Sequence, residues 1–125
     1  RNPIHSCAVG KVFLANLTDE ALDHLLRGKK LLKRTENTMT GPVQLREHLK
    51  LVRKQGFAID AEENEKGIRC LAAPVRNESG KVVAAISISG PAFRMTRKLI
   101  QEKLKKDVME TALRISQKLG FKSEG

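Results

Sequence analysis

A chain of 125 residues that is 40% hydrophobic and 30% charged can build one packed core, and it is neither disordered nor long enough for two domains. Its net charge of +10 favours polyanionic partners, yet with no Trp, no Tyr and no helix-turn-helix spacing the charge reads as a solvated basic face, or one that helps a DNA-bound assembly, ahead of direct nucleic-acid binding. Cys7 and Cys70 lack CxxC partners, and no signal peptide or run of about 18 apolar residues is present, which sets aside a disulfide scaffold and a membrane span and points to a reducing, cytosolic setting.

In chain order, "HSCAVGKVFLANL" over 5–17 begins with small residues and continues with Val9, Val12, Phe13 and Leu17 at helical spacing, so it predicts a first helix. Thr18 caps a second, with Asp19 and Glu20 in its first turn and Gly28 closing it. A basic loop over 29–41 follows. Pro42 opens a third helix whose apolar face is Leu45, Leu49 and Val52, and Gly56 ends it. The period then changes to two. Residues 57–63 read as a strand, and 67–76 and 81–90 as a hairpin turning through Asn77-Glu78-Ser79-Gly80. A long helix over 94–119 buries Ile100, Leu104, Val108, Ala112, Ile115 and Leu119. These elements predict an α+β domain, an antiparallel sheet flanked by helices with a long C-terminal helix. Three strands are few for this much helix, and the chain begins at Arg1 without an initiator Met. The expectation is an excised piece with N-terminal strands missing.

The hairpin carries one thiol and two hydroxyls where a core strand would stay apolar. A four-residue loop sets Cys70 opposite Ser87, and a two-residue loop sets it opposite Ser89. Either way Cys70, Ser87 and Ser89 share one face; a bulged three-residue loop would break the phase. The other face, with Leu71, Ala73, Val75, Val82, Ala84, Ile86 and Ile88, is expected to pack on a helix. The polar face holds the small Ala72, Pro74 and Ala85 and also Val83, which leaves room for a ligand in an enclosed hollow. If the preceding strand is a neighbour, Asp60 reaches the same floor. The unpaired N–H groups near Ala8 and Val9 offer a place for a carboxylate, with Gly10 serving close helix-to-sheet packing. The plainer reading stays open: strand Ser and Cys often only bond backbone or fill space.

Together, "PIHSCAVGK", "GFAIDAEENEKGIRCLAAPV", "VAAISISGP" and the closing "A..IS..LG" resemble the effector-binding domain of IclR-type bacterial transcriptional regulators. The resemblance implies a GAF-like domain over 1–125, lacking the N-terminal winged helix-turn-helix that reads DNA. It also implies a small-metabolite effector and a homodimer or homotetramer; no residue calls for a cofactor, and whether a metal is bound stays open. In members that bind 2-oxo acids, the ligand-holding positions map onto Ala8, Val9, Asp60, Cys70, Ser87 and Ser89. The family often has Gly-Ala where this chain has Ala8-Val9, which bears on ligand size.

Three other readings are compatible with the residues. Cys70 could act as a nucleophile with His5 as base, provided the fold brings them together, while His24 and His48 fall at positions expected to be exposed. His5, Cys7 and Cys70 could form a partial zinc site, although paired ligand spacings are absent. The 94–119 helix could serve purely for oligomerisation.

Overall fold

The computed structural model describes residues 4–28 and 30–122. Lys29, part of the expected basic loop, lies outside them. Three helices form first. α1 (Ala8–Ala15) begins after Cys7, whose Sγ accepts a hydrogen bond from the Gly10 N–H at 3.3 Å. It is shorter than the expected 5–17 because residues 4–6 form a turn that crosses back over the helix. A Cβ on Gly10 would lie 2.2 Å from the Ile4 carbonyl oxygen, so glycine is required by this crossing chain and not, as expected, by the sheet.

α2 (Asp19–Leu26) is capped by Thr18, whose Oγ1 accepts from the Ala21 N–H at 3.1 Å. α3 (Pro42–Gln55) starts on proline and stops at Gly56, which takes a left-handed φ of 83°. Leu45, Leu49 and Val52 are its buried face, as the spacing requires.

The strands β1 (Ala58–Ala61), β2 (Ile68–Arg76) and β3 (Val82–Pro91) form an antiparallel sheet in the order β1-β2-β3. At the hairpin tip the Asn77 N–H donates to the Lys81 carbonyl at 2.9 Å, leaving a three-residue loop over 78–80. That loop alone would invert the predicted phase. A second irregularity restores it: Arg76 pairs with Val82 but Val75 pairs with Ala84, so Val83 is an extra residue in β3. Beyond the bulge Cys70 stands opposite Ser89. Before it, Val82 turns to the face opposite the expected one and packs towards the helices α1 to α3, while Val83 is exposed.

The sheet separates two apolar cores. On one side Ala58 and Ala72 pack against Ala8 and Val12 of α1 and the inner faces of α2 and α3. On the other, Phe57, Leu71, Ala73 and Val75 pack against the C-terminal helix. Ile86 joins this second core, but Ala84 and Ile88 are exposed on the edge strand, so the predicted dry face is only partly covered.

The C-terminal helix runs as α4 (Arg97–Leu99), a π-helical turn (Ile100–Leu104) and α5 (Lys105–Lys118). Thr96 caps its start, its Oγ1 accepting from the Leu99 N–H at 3.1 Å. Ile100, Val108 and Ala112 are buried as predicted. Leu119 is 48% exposed, because as the C-cap residue it lies beyond the packed turns. Among the described residues no helix is long and apolar enough to cross a membrane.

Candidate functional site

Antiparallel pairing places Asp60 opposite Cys70 and Cys70 opposite Ser89, in one row across the three strands. Ser87 follows two pairs further on, opposite Ala72. Paired residues point to the same side of a sheet, so all four polar groups share a face with the small Ala58, Ala72 and Ala85. α1 lies across that face and touches each strand. Ala8 and Val9 pack in the same apolar cluster as Cys70, Ala72 and Ala85. Their N–H groups belong to the first helical turn, which has no intrahelical acceptors and carries the positive end of the helix dipole.

The face grades from dry to wet. Asp60 is 2% exposed, Cys70 is half-buried, and Ser87 and Ser89 are exposed on β3. The sequence reading expected an enclosed hollow. The described residues form a shelf with one open side, because β3 is the edge of the sheet. A larger cavity, ≈ 750 Å³, lies elsewhere: it is a groove between charged surface residues of two loops, including Lys33, Arg34, Glu62 and Glu65.

Asp60 is held by a sharp turn. Its Oδ1 accepts from the Glu63 N–H at 2.8 Å and the Asn64 N–H at 3.3 Å. Glu62 adopts a left-handed φ of 58°, uncommon for a residue with a side chain, which folds Glu63 back under the strand. Thr35 and Thr38 brace the turn through their hydroxyls, which donate to the Glu62 and Glu63 carbonyls at 2.5 Å each. Burial pushes the Asp60 carboxyl above the usual carboxylate range, against the pull of its two backbone donors. Burial also pushes the Cys70 thiol up; the Asp60 charge adds to this and a hydrogen bond from Ser89 opposes it. Cys70 is therefore a protonated thiol, a weak donor and compact wall, and a poor nucleophile.

One residue at the centre of this electrostatics is absent from the sequence-based set. Lys11, on the inner side of α1, is wholly buried. Its Nζ lies 2.5 Å from Glu63 Oε1, donates to the Ile59 carbonyl at 2.8 Å and meets His48 Nε2 at 3.1 Å. The Glu63 contact is one of charge, off the line of a well-formed hydrogen bond. An ammonium has no lone pair, so His48 Nε2 accepts and its imidazole is neutral. Burial and the adjacent ammonium both hold the His48 pKa down. His48 therefore turns inward, contrary to its expected exposure, whereas His24 is exposed as expected. The available signal for Lys11 was its position: it shares the buried stripe of Ala8, Val12 and Ala15.

His5 is buried, and its Nε2 is 2.9 Å from the Leu32 carbonyl oxygen. A carbonyl only accepts, so that nitrogen carries the proton. The base or zinc-ligand role weighed for His5 would therefore fall to Nδ1, and among the described residues no group of three or more His, Cys, Asp and Glu is placed to hold a metal ion.

Residues 1–117 match the family described as "Bacterial transcriptional regulator IclR C-terminal". The chain is 39% identical over 122 residues to the HTH-type transcriptional regulator KdgR of Escherichia coli K12, a match that covers 97% of this chain and 46% of KdgR. It therefore spans about half the length of such relatives. Among solved structures, a transcriptional regulator from Rhodococcus sp. RHA1 superposes with a TM-score of 0.90 at 36% identity, covering 94% of this chain and 48% of that one. The inducer-binding domain of PobR from Acinetobacter, a double mutant in complex with 3-hydroxybenzoic acid, superposes with a TM-score of 0.87 at 26% identity, covering 91% of this chain and 65% of that one. Each of these relatives is described as a transcriptional regulator or transcription factor. The chain belongs to the IclR family of bacterial transcriptional regulators, as a C-terminal domain of that family.

Proposed function

We propose that this domain senses a small carboxylate metabolite, a 2-oxo acid or a sugar acid, in the cytoplasm. The observation that carries the reading is the row Asp60–Cys70–Ser89 beneath the start of α1. The ligand carboxylate sits over the Ala8 and Val9 N–H groups, where unpaired donors and the helix dipole favour an anion. Ser87 and Ser89 donate to its oxygens. Asp60 has Oδ1 occupied by backbone donors, so Oδ2 accepts from a ligand hydroxyl. Cys70 and the alanines form the small-residue floor. The PobR domain in complex with an acid that also carries a hydroxyl supports this pairing of groups.

Output follows from differential affinity. In the full regulator, working as a homodimer or homotetramer, an N-terminal domain binds DNA, and a metabolite that prefers one arrangement shifts the DNA-competent population. A preference of about 100-fold corresponds to roughly 2.7 kcal/mol, within the usual range of allosteric coupling. Calorimetry against glyoxylate, pyruvate, gluconate and 3-hydroxybenzoate tests the reading. At least one acid binds, and Ser87→Ala with Ser89→Ala weakens it by about 0.5–1.5 kcal/mol per lost bond. Unchanged affinity in the double variant places the site elsewhere.

A further inference from the structure

Lys11 makes no contact with solvent, so it is not itself a ligand group, and its contacts converge on the segment that carries Asp60. The ammonium touches Ile59 immediately before Asp60 and Glu63 three residues after it. Glu63 in turn accepts from the Ala61 N–H through Oε2 at 3.1 Å, and its own N–H holds Asp60 Oδ1. The lysine thus grips both ends of the turn that aims the carboxylate. It does so from α1, one helical turn after Ala8. A buried ion pair adds little stability over apolar residues of similar size. Its presence here is better explained by what it positions.

We infer that Lys11 is a positioning residue for the ligand shelf, fixing the Asp60 carboxylate against the N-terminus of α1 and supplying its counter-charge. The inference rests on the carboxylate-sensor reading for its ligand arm only. The charged and titratable groups facing Lys11 and Asp60 are Cys7 at the N-cap of α1, His48 on α3, Glu63 in the turn and Cys70 on β2. His48 is neutral, so Lys11 is the cation opposing two carboxylates. Removing it and removing Glu63 should move Asp60 in opposite directions, which a general loosening of the fold would not do.

The test compares Lys11→Met with Glu63→Gln. In the ligand-free protein, the Asp60 side-chain carbonyl carbon is followed by NMR against pH. Lys11→Met is expected to raise its midpoint and Glu63→Gln to lower it. By calorimetry, wild type binds lactate about 10-fold more tightly than propionate, because only lactate offers Asp60 a hydroxyl. Lys11→Met brings the two acids to parity and Glu63→Gln keeps the preference. A folded Lys11→Met protein with an unmoved Asp60 midpoint, or with the lactate preference intact, overturns the inference. Should Lys11→Met fail to fold, Lys11→Gln, which keeps a donor for the Ile59 carbonyl and loses the charge, is read in its place: a raised midpoint supports the inference and an unmoved one overturns it. If wild type binds neither acid, the ligand-free titration still decides the role of Lys11, and the sensor reading stands or fails on the four acids of the calorimetry panel.

Discussion

Asp60 and Cys70 face each other across β1 and β2, with a buried carboxylate on one side and a half-buried thiol on the other. Burial raises both groups, so Asp60 is retained at a cost to stability. An acid raised in the fold ionises more readily in the unfolded chain. Its penalty is full above the folded midpoint and disappears as pH falls through that midpoint toward the unfolded value of about 3.9. Asp60→Asn should therefore be more stable than wild type at neutral pH, with the gap closing on acidification. Urea unfolding across pH measures this. The same variant should weaken its preference for hydroxy acids, because the ligand hydroxyl loses the carboxylate oxygen that accepts its proton.

His48 gives the opposite slope. Its folded pKa lies below the usual histidine value because of burial and the Lys11 ammonium. The unfolded chain takes up the proton first, so stability is fully present above about pH 6.5 and falls as pH drops towards the folded value. His48→Gln should flatten that part of the acid limb, read from denaturation midpoints over the same range.

Gly10→Ala separates helix propensity from packing. An exposed helical glycine would gain about 1 kcal/mol on this change. Here the new methyl would meet the Ile4 backbone, so the variant should lose roughly 1–3 kcal/mol, read from the urea midpoint.

Ser116 ties the C-terminal helix to the sheet. Its buried Oγ accepts from the Arg76 N–H at 2.8 Å and donates to the Ala112 carbonyl at 2.7 Å. Ser116→Ala leaves the Arg76 N–H without that acceptor and should destabilise by about 1–3 kcal/mol. Hydrogen exchange at Arg76 should accelerate correspondingly.

Much of this architecture was legible because local chemistry dictated it. Thr18, Pro42 and Gly56 mark helix ends by rules that need no tertiary context, and period-two alternation exposed the hairpin. The shared face of Cys70 and Ser89 was also legible, although by a route the sequence conceals. The loop has three residues, and only the extra Val83 returns the strands to phase. Val82 was assigned to the wrong face for that reason. Lys11 and Glu63 were missed because each looks solvated in sequence: a lysine beside glycine on a basic chain, and a glutamate in an acidic turn. Their pairing depends on α1 crossing the sheet, a long-range fact. The exposure of Ser87 and Ser89 likewise follows from β3 lying at the sheet edge, which alternation cannot show.

The most direct test of the sensor reading is chemical-shift mapping of the wild-type domain titrated with whichever acid binds. The largest shifts should fall on the Ala8 and Val9 amides and on Asp60, Cys70, Ser87 and Ser89. Shifts confined to the charged groove around Arg34, Asn37 and Glu65, with the α1 amides unmoved, would contradict it.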